Sequence, residues 1–156
     1  MRISYRRLLI RERRERLGIG LGEMARETGM SVSECRDIEL YEDELTVGVP
    51  LKNARALARL LGLELGSLFG VGSLDGAQSR PDRKPRQVVI SEARNRIGVS
   101  IATMVEDVGF DEAFISSIEN EADALEEYPF DVMKIVASYL KVDLGDLLWA
   151  LPGTAV

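Results

Sequence analysis

The chain states one pattern twice. Ile10, Glu12, Arg14, Arg16, Gly18, Met24, Gly29, Ile38 and Glu39 recur 80 positions later as Ile90, Glu92, Arg94, Arg96, Gly98, Met104, Gly109, Ile118 and Glu119. After a slip of one residue, Pro50, Ala58, Leu61, Leu65, Gly66 and Leu68 recur as Pro129, Ala137, Leu140, Leu144, Gly145 and Leu147. A register held over so many positions marks a duplicated structural unit. Each copy spans roughly 65–70 residues, a small but feasible domain. Domains of that size fold with little margin, so contact between the copies or self-association is expected.

Composition narrows the function. The content of 46% hydrophobic residues fits a folded chain and not a disordered one. Cys35 is the one cysteine, so an internal disulfide is impossible and a reducing, cytoplasmic setting is expected. The N-terminal apolar run Leu8-Leu9-Ile10 is too short for a signal peptide, and no stretch approaches the roughly 18 apolar residues of a membrane helix. Histidine, the commonest general base and metal ligand, is absent. With no nucleophile–base pair, phosphate loop or metal spacing in view, neither enzymatic activity nor a cofactor is expected.

The net charge of −6 is unevenly spread. Residues 1–70 hold 12 Lys/Arg against 11 Asp/Glu, a net of +1. Residues 71–87 hold 4 against 2, and residues 88–156 hold 4 against 13, a net of −9. A polyanion would therefore meet the N-terminal half and the segment after it first.

The segment 71–87 carries Gly, Ser and Pro without a helical apolar stripe and reads as a linker between domains at 1–70 and 88–156. As a coil its ends lie roughly 20–25 Å apart. Extended, it spans the distance of about 34 Å between sites one DNA turn apart. Within each copy every pattern is helical. A first helix from about Tyr5 to Leu17 stops at Gly18, and a second from about Leu21 to Thr28 stops at Gly29. A third opens at Ser31 with Glu34 three residues on, a capping-box spacing, and Asp111 takes the capping place in the second copy. After an acidic loop, Pro50 and Pro129 mark the start of a fourth helix. Its apolar face is Leu51, Ala54, Leu57, Ala58 and Leu61, matched by Phe130, Met133, Val136, Ala137 and Leu140. A short fifth helix carries Leu65 and Leu68, or Leu144 and Leu147.

Short helix, Gly, short helix, Gly, capped helix is a helix-turn-helix order. Arg14, Gly18-Ile19, Met24-Ala25, Gly29-Met30-Ser31, Ile38-Glu39, Pro50 and Ala58 through Leu63 resemble the Cro and phage-repressor (XRE-type) family of DNA-binding domains. So do Arg94, Gly98-Val99-Ser100, Met104-Val105, Gly109-Phe110, Ile118-Glu119, Pro129 and Ala137 through Val142. The resemblance covers nearly all of each copy. It implies an all-α chain of two tandem lambda-repressor-like five-helix domains. It also implies an ion pair between the first and third helices, Arg14 with Glu39 and Arg94 with Glu119.

Three sets of positions carry DNA contacts in that family, and this chain departs at each. The polar residue that grips phosphate at the start of the second helix is Leu21 here, and Ile101 in the second copy. The outward face of the third helix offers Val32, Ser33, Glu34, Arg36 and Asp37, then Glu112, Ala113, Phe114, Ser116 and Ser117. Of these Ser33, Arg36, Ser116 and Ser117 suit base edges, whereas the carboxylates are repelled by the backbone. The loops that follow, 40–45 and 120–127, are acidic. Against this stand basic clusters of Arg2, Arg6, Arg7, Arg11, Arg13 and Arg16, and of Arg80, Arg83, Lys84 and Arg86. They read either as arms that neutralise phosphates or as a solvated helix face.

The expectation is a DNA-binding transcriptional regulator of the Cro/repressor type. Double-stranded DNA would be held mainly by the N-terminal copy through Arg2, Arg6, Arg7, Arg11, Ser33, Arg36, Arg83 and Lys84. The alternative is a degenerate tandem helix-turn-helix protein that serves as a protein-interaction or dimerisation module without DNA. Phe114 at an outward position motivates it, as do the acidic second copy and Trp149, which suits an interface anchor for a homodimer or a protein partner. Cys35 falls at an apolar position and is expected to be buried.

Overall fold

The computed structural model describes residues 5–70 and 84–148, with side chains from Arg7 onward. These residues form two compact units, one on each side of 71–83. The described residues are helical and contain no extended strand. Unit one comprises α1 (Tyr5–Arg16), α2 (Leu21–Thr28), α3 (Val32–Leu40), α4 (Glu44–Val47), α5 (Leu51–Leu61) and α6 (Leu65–Phe69). Unit two comprises α7 (Arg86–Ile97), α8 (Ile101–Val108), α9 (Glu112–Asn120), a 3-10 turn (Ala124–Glu127), α10 (Phe130–Leu140) and α11 (Leu144–Leu148).

The helix ends are written into the sequence. Gly29 and Gly109 stop α2 and α8 at φ of +74° and +79°, a conformation open to glycine at no steric cost. Ser31 then starts α3 with both bonds of a capping box. Its Oγ accepts from the Glu34 N–H at 3.0 Å, and Glu34 Oε2 accepts from the Ser31 N–H at 2.7 Å. In unit two Asp111 Oδ1 accepts from the Phe114 N–H at 2.7 Å, so one half of that device persists. α5 closes at Gly62 with φ +65°, whereas its equivalent α10 closes at Lys141 with φ +56°.

The apolar stripes meet at the centre of each unit. Ile10, Met24, Cys35, Ile38, Leu51, Leu57, Leu61 and Leu68 are buried in unit one. Ile90, Met104, Ile115, Ile118, Phe130, Val136, Leu140 and Leu147 are buried in unit two. Each such side chain withdrawn from water contributes about 1.5–3 kcal/mol before entropy is charged against it. α2 packs on α3 and α5, and α1 on α3, α5 and α6. The matching helices of unit two make the corresponding contacts, α9 packing on α7 and α8.

One ion pair in each unit fixes the first helix to the third. Arg14 Nε and Nη2 donate to the two carboxylate oxygens of Glu39 at 2.7 and 3.0 Å, and Nη1 donates to the Ile19 carbonyl at 3.0 Å. Arg94 Nε donates to both oxygens of Glu119 at 3.0 Å, and Nη1 to the Val99 carbonyl at 2.9 Å. The hydrogen bond to Glu39 holds the Arg14 guanidinium above its ordinary pKa, against the opposing effect of burial. Each arginine thus also fixes the turn that leads into the next helix.

Three expectations are corrected. The acidic loop before each proline holds a helical turn, so among the described residues each unit has six helical segments and not five. Leu45 and Leu125, 1% and 2% exposed, draw that turn onto the core. The linker ends earlier than residue 87, because Pro85 occupies the N-cap and Arg86 begins α7. Phe114 is not outward: it is buried, its ring 4.7 Å from both Phe110 and Tyr128.

Candidate nucleic-acid interface

α3 of unit one turns Cys35 and Ile38 inward. Burial pushes the Cys35 thiol above its ordinary pKa, which suits a packed thiol better than a reactive one. At 100° per residue the opposite side of the helix carries Ser33, Arg36 and Leu40. Ser33 and Arg36 are exposed, and neither side chain has a hydrogen bond or ion pair among the described residues. The Arg36 guanidinium therefore keeps all five donors for an external ligand.

The basic residues of α1 are less free. Arg7 Nη1 donates to the Leu40 carbonyl at 3.1 Å, which brings the start of α1 to the C-terminal end of α3. Arg11 Nε pairs with Glu15 at 3.1 Å, and Lys84 Nζ pairs with Glu92 at 2.8 Å. All four partners in those two pairs are more than half exposed, so the pairs exchange readily with water and add little stability. The candidates Arg2 and Arg83 lie outside the described residues, as do the Arg6 side chain, Arg80 and Trp149.

Among the described residues, Arg86 is a basic residue of these clusters that leaves the surface altogether. Its side chain is 3% exposed and donates to Glu126 Oε1 at 2.8 Å, to the Ala122 carbonyl at 2.9 Å and to the Leu147 carbonyl at 3.3 Å. In the sequence it belongs to the basic cluster of the 71–87 linker. The available signal was Glu126, an acid standing where the first copy has Thr46.

Unit two presents a different surface at the place of α3. Ser33 and Arg36 are replaced by Ala113 and Ser116, and Glu34 by the buried Phe114. The α9 face thus has no cation. Another feature escaped the sequence: a shallow groove of about 490 Å³ between α8 and α10, lined by Asp107, Val108, Lys134, Ile135, Ser138 and Tyr139. Tyr139 Oη donates to Asp107 Oδ2 there at 2.6 Å, and this bond raises the tyrosine pKa.

No helix among the described residues is long and apolar enough to cross a membrane. Compared with protein-family models, with curated proteins and with solved structures, the chain matches none.

Proposed function

We propose that the chain is a tandem helix-turn-helix protein of the Cro/phage-repressor type, with two lambda-repressor-like domains, that binds double-stranded DNA through unit one. The observation that carries this reading is Arg36. It stands with Ser33 on the outward side of a helix whose position is set by a capping box and by the Arg14–Glu39 pair, and its donors are unengaged. An arginine in that setting suits the acceptor edge of guanine. Arg7 and Arg11 on α1 suit phosphates, as do Arg2, Arg6, Arg83 and Lys84, and unit two acts as a scaffold or self-association module.

Fluorescence anisotropy on random duplex at about 50 mM salt tests this, since even non-specific binders register there at micromolar protein. Absence of binding sinks the reading. Given binding, Arg7→Ala with Arg11→Ala weakens all sequences alike, whereas Arg36→Ala changes preference among sequences.

A second reading, a protein-interaction module that kept the scaffold without DNA, has its own support. Leu21 and Ile101 offer no hydrogen bond at the phosphate position, and Glu34, Asp37, Glu42 and Asp43 surround α3 with negative charge. Salt-independent indifference to duplex of every sequence favours it.

A further inference from the structure

Unit one opens α3 with a residue that the helix itself does not favour. Val32 is the first residue of α3 and is 41% exposed. The helix dipole favours an acid at such a position, and unit two has Glu112 there. A β-branched side chain also has the lower helix propensity. Nor does Val32 supply the apolar clasp that braces a capped helix end, since Met30 and Cys35 hold those two places and are both buried. Val32 thus gives α3 less support than its counterpart gives α9, and it keeps a branched apolar surface in water.

The neighbours of Val32 say what that surface meets. Arg36 follows one turn later on the same side of α3, about 6 Å along the axis, and both it and Ser33 are exposed. Successive base pairs lie about 3.4 Å apart, so Val32 stands within about two steps of the base that Arg36 addresses. Beside the acceptor edge of a guanine, the apolar feature that the major groove offers is the C5-methyl group of a pyrimidine. We infer that Val32 is a specificity-determining residue, selecting duplexes with a pyrimidine C5-methyl within about two base pairs of the guanine met by Arg36. The inference rests on the reading of unit one as a DNA-binding domain. Thymine and 5-methylcytosine present that methyl alike. In unit two Glu112 replaces Val32 and Ser116 replaces Arg36, so α9 lacks both halves of the combination.

The test uses the full chain and a pool of duplexes with a random centre, from which the wild-type protein enriches its preferred sequences. Each enriched duplex is remade with deoxyuridine for thymine, which removes only the methyl, and with 5-methylcytosine for cytosine, which adds only the methyl. At one position beside the guanine that Arg36→Ala ceases to require, deoxyuridine is expected to bind about fourfold more weakly than thymine, a change of about 0.8 kcal/mol. Recovery with 5-methylcytosine at that position extends the preference to both bases, and no recovery assigns it to thymine. Val32→Ala, its folding checked by circular dichroism, should bind the thymine and deoxyuridine duplexes equally while keeping the guanine preference. Equal wild-type affinity for the two duplexes at every position overturns the inference and leaves the DNA reading standing. So does a thymine preference that survives in Val32→Ala, which places the methyl contact on another residue. A pool that yields no enrichment, with no binding at micromolar protein, overturns both.

Discussion

Glu34 and Phe114 occupy the same place in the repeat, and one faces water while the other is buried. Glu34 closes the capping box with Ser31 at 2.7 Å. Phe114 gives up that second capping bond and packs 4.7 Å from Phe110 and from Tyr128, edge-on to the tyrosine ring. A residue at the third position of a helix thus supports the helix end in one copy and the core in the other. The exchange accounts for the loss of a polar outward position from α9.

The two residues should differ in cost. Phe114→Ala is expected to destabilise unit two by about 3–5 kcal/mol, the range for removing a buried ring. Glu34→Ala should cost unit one about 1 kcal/mol, as the loss of a cap does. Hydrogen exchange read separately over residues 5–70 and 84–148 measures both, and equal effects would contradict the assignment.

Arg86 makes a sharper prediction. Replacing it with Ala removes the cation held against the buried Glu126 carboxylate and should destabilise unit two by about 3–5 kcal/mol. Because Arg86 Nη2 is buried without a partner, the pair is imperfectly satisfied. The double variant Arg86→Met, Glu126→Leu should therefore recover most of that loss. A double-mutant cycle in urea that shows simple additivity would rule out the coupling.

Lys141 pays for a left-handed turn that Gly62 adopts freely. Lys141→Gly is expected to stabilise unit two by about 0.5–1 kcal/mol, the strain relieved less the added freedom of the unfolded chain. Gly62→Lys should destabilise unit one by a similar amount. Thermal melts of the two variants check the opposite signs.

Tyr139 supplies a test at high pH. Its hydrogen bond to Asp107 raises the phenol above the ordinary 10.0. A raised pKa in the folded state means that the bond's contribution is full below pH 10 and is lost as pH climbs through the raised value. Asp107→Asn should bring the titration of one tyrosine down. A tyrosinate absorbance titration that is unchanged by Asp107→Asn would refute it.

Much of the fold was legible because its signals are local or periodic. The glycines at 29 and 109, the caps at Ser31 and Asp111 and the apolar spacing of α5 and α10 each act within a few residues. The Arg14–Glu39 and Arg94–Glu119 pairs were legible by resemblance and by repetition. What escaped depends on distant partners. Phe114 reads as outward on α9 until Tyr128, past a turn, comes to lie against it. Arg86 reads as part of a basic linker cluster until Glu126, 40 residues on, is brought to it. The turn at 44–47 was hidden because a single buried leucine defines it. Of the candidate interface, Ser33 and Arg36 were legible as helix positions, while the pairing of Arg11 and Lys84 with nearby acids depends on side-chain reach.

The three contacts of Arg86 also order events during synthesis. Arg86 is the first residue of α7, and the Leu147 carbonyl that it holds lies within the last described helix, 61 residues later. A ribosome emits a chain from its N-terminus, so unit two cannot complete the contacts of Arg86 until Leu147 has emerged. Unit one emerges first and can close while its sister is still being made. Premature termination between the end of unit one and Leu147 would leave a folded first half joined to a second half without this contact.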